Sequence, residues 1–153
     1  MKRLGFLFAG AAFLLVPATA LAQDEAEGPP PTSIVTVTSF HVPLGPERGK
    51  VLQFIEKVVA PQARNNPNVL AFYVLQHNWG SDSRDVKLVS VYADMAAVDA
   101  PCGEPCQTWA DENLPEEGEE GYEEFDELAD NYLKYFGKHS DEIYISRMDL
   151  AKD

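Results

Sequence analysis

The side chains with the most chemistry to offer stand near the ends of two apolar runs. His41 closes Ser33 to Val42, and His77 stands with Trp79 at the end of Val69 to Trp79, Val-Leu-Ala-Phe-Tyr-Val-Leu-Gln-His-Asn-Trp. Imidazole exchanges protons near neutral pH, so two histidines facing one pocket could serve as acid and base or as ligands. Extended backbone alternates its side chains, which puts Ala71, Tyr73, Leu75, His77 and Trp79 on one face. His41, Tyr73, His77 and Trp79 are therefore candidate ligand-pocket residues. A plainer alternative stays open, a pair of strand-end histidines near solvent, because no carboxylate stands at a spacing that would pair with either. Arg147, a cation among the apolar residues of the last run, could hold an anionic ligand group or pair with a neighbouring carboxylate.

Cys102 and Cys106 are the only cysteines. In an oxidising compartment a local disulfide is the expected state, provided the turn at Gly103 and Pro105 brings the α-carbons within roughly 7 Å. A metal would need two more ligands, with His139 only a distant candidate, so neither metal nor cofactor is expected. The carboxylates from Asp111 to Glu127 have no basic residue among them and lack the alternation of a calcium loop. They read as a solvated face.

The elements that must position these residues follow from periodicity. In Ser33 to Val42, Ile34, Thr36, Thr38, Phe40 and Val42 share one face and Val35, Val37, Ser39 and His41 the other, so a first strand is apolar on both sides. After Pro43-Leu44-Gly45-Pro46, a helix carries Val51, Phe54, Ile55, Val58 and Val59 at three-and-four spacing, and Pro61 is expected to end it. The run from Val69, opened by Asn65-Asn66-Pro67-Asn68 and closed by Gly80-Ser81-Asp82-Ser83, is the central strand. Asp85 to Ala93 returns as its antiparallel partner, and Asp94 is a plausible cap for a short segment that Pro101 cuts off. An acidic insertion, Cys102 to Glu120, separates this from a helix over about Glu119 to Gly137, whose apolar side holds Tyr122, Phe125, Leu128, Ala129, Tyr132, Leu133 and Phe136. A last strand runs from Glu142 to Met148. The order βαββαβ implies an α+β, ferredoxin-like fold with an antiparallel sheet and an insertion before the second long helix.

The N-terminus reads as a signal peptide over residues 1–22: Lys2 and Arg3, an apolar run from Leu4 to Val16, and the small-residue site Ala20-Leu21-Ala22. A Pro-rich, acidic tether over 23–32 leads into the domain at 33–150. A secreted or periplasmic location follows. The full chain carries 12 basic and 25 acidic residues, a formal charge of −13, and losing Lys2 and Arg3 makes it −15. That charge repels nucleic-acid backbones and anionic membrane surfaces, so neither is expected as a partner of the mature chain.

The stretch from Ser33 to Ala100 resembles the antibiotic-biosynthesis-monooxygenase-like members of the dimeric α+β barrel superfamily. The residues that carry the resemblance are Val37-Thr38-Ser39-Phe40-His41-Val42 leading to Gly45, Phe54-Ile55, Asn66-Pro67-Asn68-Val69-Leu70, and Val89-Ser90-Val91-Tyr92-Ala93-Asp94 with Ala96-Ala97-Val98-Asp99-Ala100. Pro101 stands where that family often has a histidine, and the insertion is foreign to its pattern. The resemblance implies a homodimer packed sheet on sheet. A site for a small, largely apolar molecule between sheet and helices is expected with it. Of such domains some are cofactor-independent, monooxygenase-like enzymes, some degrade haem and many have no established activity, so whether this chain is an enzyme stays open. The alternative is a non-enzymatic dimeric scaffold whose acidic insertion meets a protein partner.

Overall fold

The structure, a computed structural model, describes residues 32–77 and 83–147. The expected signal peptide, the tether up to residue 31, and Asn78 and Trp79 lie outside these residues.

Four strands form one antiparallel sheet: β1 (Thr32–His41), β2 (Val69–Gln76), β3 (Asp85–Tyr92) and β4 (Ser140–Arg147), in the spatial order β2-β3-β1-β4. This is the ferredoxin-like arrangement expected from the element order. β1 lies at the centre, with Thr38 opposite Leu88 of β3 and opposite Asp141 of β4. The Val69 run, expected at the centre, is an edge strand instead. It pairs with β3 alone, and its apolar content reflects cover on the helix side and half-exposure on the other.

The helices lie on one side. α1 (Pro46–Phe54) begins with Pro46 in its first turn, where a missing N–H costs nothing. Pro61 was expected to stop this helix. The chain instead passes through a π-helical turn (Ile55–Val59), in which the Ala60 N–H reaches back to the Ile55 carbonyl, and continues as α2 (Ala60–Asn65). A wider turn accommodates a proline that cannot donate its own bond, so the helix bends its hydrogen-bond pattern rather than ending. α3 (Met95–Asp99) is capped as expected, the Asp94 carboxylate accepting from the Ala97 N–H at 2.8 Å. The insertion holds a further helix, α4 (Glu104–Asn113), before the long α5 (Tyr122–Phe136).

Phe40, Val42, Val86 and Leu88 from the sheet meet Val51, Phe54, Ile55 and Val58, with Leu128 and Tyr132 of α5 closing the core. Tyr132 stacks on Phe54 at 4.9 Å and on Phe136 at 5.0 Å, and meets Phe40 edge-on at 6.0 Å. Leu133, expected on this apolar side, points outward and is 58% exposed. The carboxylates read as a solvated face have partners that sequence spacing could not reveal. Glu124 pairs with Lys57 at 2.9 Å and Glu127 with Lys50; outside that run, Glu47 of α1 pairs with Lys134 at 3.0 Å and with the Tyr135 hydroxyl.

The other side of the sheet carries no helix. Val35, Val37, Val89 and Val91 are half-buried there, and Tyr73, Leu75 and Tyr144 are 54%, 51% and 49% exposed.

Candidate functional site

The strand ends build the first candidate site. His41 is the last residue of β1 and Asp85 the first of β3, and antiparallel register sets them opposite each other. His77 follows β2, where its N–H donates to the Asp85 carbonyl at 3.1 Å. The corner is held by Arg48, whose guanidinium donates to the carbonyls of Val42 and Arg84 at 3.2 and 3.3 Å. One carboxylate thus lies between two imidazoles: Asp85 Oδ1 is 2.6 Å from His41 Nδ1, and Oδ2 is 3.9 Å from His77 Nδ1. The 2.6 Å approach is close but not aligned as a hydrogen bond, and Oδ1 is buried without one. A cleft of about 300 Å³ adjoins it, lined by Leu75, Gln76, His77, Asp85 and Lys87. A carboxylate against imidazole fixes the ring and its tautomer, which is what proton transfer requires.

The second candidate site lies on the opposite side of the sheet, between it and the helices. A cleft of about 460 Å³ is walled by Phe72, Leu88, Val59, Val69 and Phe136, with the hydroxyls of Thr36, Thr38, Ser90, Tyr92 and Tyr132 and the amides of Gln62 and Asn66 among them. No charged side chain is among the lining residues. Burial pushes the Tyr132 phenol well above its ordinary value of 10, so at neutral pH it is a neutral hydroxyl. One end is closed by the Cys102–Cys106 disulfide, whose α-carbons are 5.8 Å apart, within the reach anticipated from the turn. Its sulfurs rest near the last turn of α2, 3.5 Å from the Gln62 carbonyl and 3.8 Å from that of Asn65. The disulfide therefore clips the start of α4 locally and packs it against the last turn of α2.

No protein-family model matches the sequence, and no curated protein matches it. Solved structures do match. An ethyl tert-butyl ether (EthD) family protein from Bacillus halodurans superposes with a TM-score of 0.45 at 12% identity, over 73% of this chain and 96% of its own. SnoaB, a cofactor-independent oxygenase from Streptomyces nogalater, gives 0.41 at 13% identity over 79% and 94%. A NIPSNAP family protein from Agrobacterium tumefaciens gives 0.43 at 14% identity over 74% and 85%.

Of the residues singled out from sequence, the structure brings His41 and His77 to one carboxylate and sets Tyr73 on the same helix-free face. None of the three lines the sheet–helix cleft. Trp79 lies outside the described residues. Arg147 sits opposite Thr32, at the far end of β1 from His41, and does not join the histidines. Asp85 escaped the sequence reading because its pairing comes from strand register, which spacing along the chain does not encode. The cleft hydroxyls escaped for a related reason: alternation assigned Thr36 and Thr38 to a face with Phe40, and nothing in the sequence said that helix cover would stop short of them. Among the described residues, no group of three His, Cys, Asp or Glu is placed to hold a metal, and no helix is long and apolar enough to cross a membrane.

Proposed function

We propose that the chain is an exported homodimeric domain that binds a small, neutral, largely apolar molecule in the cleft between sheet and helices. The observation that carries this reading is the lining itself. Aromatic and aliphatic walls with several neutral hydroxyl and amide groups, and no charge, match the usual make-up of a small-molecule site. The volume of about 460 Å³ falls in the ordinary range for such sites, roughly 300–1,000 Å³. A second copy of the chain covers the helix-free face, so Tyr73 and Leu75 become interface residues and the His41–Asp85–His77 group lies at the interface rim. A cofactor-independent, monooxygenase-like reaction on the bound molecule is the activity to which this reading extends.

Native mass spectrometry of the protein recovered from the exported fraction tests the proposal, and should show a dimer of chains beginning near Gln23 that carries an organic ligand. Oxygen uptake on returning the extracted ligand to the stripped protein separates an enzyme from a binder. A ligand-free protein that also fails to bind apolar fluorescent probes would refute the reading. The scaffold alternative has one observation in its favour. A cleft of about 410 Å³ beside α5 has an apolar floor of Phe54, Val58, Phe125 and Leu128 and a rim that includes Glu112, Glu119, Glu120 and Glu124. Salt-sensitive capture of a basic, apolar peptide that Glu119→Gln with Glu120→Gln abolishes would support it.

A further inference from the structure

The geometry points to the Thr38–Asp141 hydrogen bond, with His139 packed behind the carboxylate, as a relay that makes the β1–β4 side of the cleft a receptor for a hydrogen-bond donor, so that the ligand carries an O–H or N–H there. This inference rests on the cleft being a small-molecule site.

Thr38 and Asp141 are register partners, so the sheet itself places their side chains together. Thr38 Oγ1 donates to Asp141 Oδ1 at 2.6 Å. A hydroxyl has one proton, and an ionised carboxylate can only accept. Once that proton is committed to Asp141, the Thr38 oxygen has only lone pairs left for the cleft it lines. A ligand acceptor placed there would meet lone pairs, whereas a donor would complete the hydroxyl's bonding.

The direction of the Thr38 proton is only as secure as the carboxylate it points to, and Asp141 is held from behind. Its Oδ2 lies 3.0 Å from His139 Nε2. His139 is fixed in turn, with Nδ1 2.6 Å from the Phe136 carbonyl and its ring stacked on that of Phe136 at 4.3 Å and 18°. Phe136 lines the same cleft. Thr38 is thus a specificity residue that would touch the ligand, and Asp141 and His139 are positioning residues acting through it. Where a bound ligand shuts water out from the Thr38 oxygen, an analogue lacking the donor is disfavoured, because that oxygen is then left unpaired.

The test uses two probes of matched shape, 2-naphthol, which has an O–H, and 2-methoxynaphthalene, which has none. Their affinities are measured by calorimetry on the disulfide-intact protein. Comparing ratios removes the difference in how water holds the two probes. From wild type to Thr38→Val, which keeps the β-branched shape of a strand residue, the naphthol-to-ether affinity ratio should fall about tenfold while ether binding stays within about twofold. Thr38→Ser should restore the ratio. Asp141→Asn, whose amide can donate to Thr38 and free the hydroxyl proton, should lower it as well. A merely structural role would weaken both probes together and leave the ratio unmoved, and an unmoved ratio in Thr38→Val overturns the relay while leaving the small-molecule reading standing. Failure of both probes to bind the wild type overturns both readings.

Discussion

Replacing Tyr73 with alanine should dissociate the proposed dimer without disturbing the monomer. Tyr73 stands on the helix-free face and is 54% exposed, so of the roughly 200 Å² that a tyrosine side chain offers, roughly 100 Å² awaits a partner. At about 25 cal/mol per Å² this is about 2.5 kcal/mol per site. A two-fold axis uses the same residue twice, so the variant forfeits about 5 kcal/mol, which weakens the dimer by about three and a half decades in Kd. Sedimentation velocity across a concentration series reads that change directly. Leu133→Ser is the control: Leu133 is equally apolar and 58% exposed, but it lies on α5, so its removal should leave dimerisation unchanged. A Kd for Tyr73→Ala within threefold of wild type, or a wild type monomeric throughout the micromolar range, would show that the face is not covered by a second copy.

Three other perturbations test separate parts of the fold. The disulfide closes a five-residue loop, Cys102 to Cys106, for which loop-closure entropy predicts a contribution of about 2 kcal/mol; Cys102→Ser with Cys106→Ser should lower the chemical-denaturation free energy by that amount, and an unchanged midpoint would sink the estimate. Glu47, held below its ordinary 4.5 chiefly by the Tyr135 hydroxyl and then by Lys134, and Glu124, held below it by Lys57, contribute stability that is present above their unfolded values and lost as pH falls through the folded ones. Between about pH 5 and pH 3 the urea midpoint of the wild type should therefore drop further than that of Glu47→Gln with Glu124→Gln. Tyr132 has the opposite sign. Its raised phenol contributes stability that is complete below its ordinary value of 10 and is lost as pH climbs beyond it, so Tyr132→Phe should flatten the alkaline limb of stability, and equal limbs in both proteins would contradict its burial.

The sequence made local structure legible wherever one residue spoke for its own surroundings. Asp94 capping α3, Pro46 opening α1, and Phe54 and Val58 on a buried stripe could all be read from neighbours a few positions away. Misplacing β2 at the centre of the sheet shows the limit: an apolar strand half-covered at an edge and one buried in the middle look alike, because a second copy or a ligand can also call for apolar residues. The same limit hid the candidate sites. Asp85 meets His41, Glu127 meets Lys50 and Asp141 meets Thr38 only after register and helix docking are set. Trp109 and Leu114 pack against the core from an insertion that looked merely acidic, since Gly103 and Pro105 read as a turn when they were also the start of a helix.

The π-helical turn at Ile55–Val59 has a consequence for how this chain can change over time. One extra residue in a helical turn offsets everything beyond it by about 100° relative to an uninterrupted α-helix. The residues before it, Val51 and Phe54, keep their phase toward the core, while Gln62 and Ala63 after it take theirs from the cleft. One continuous rod thus has two independently phased ends. Substitutions that reshape the cleft wall can accumulate on α2 without asking the core to repack, so the lining of the cleft can change while the folded frame stays fixed.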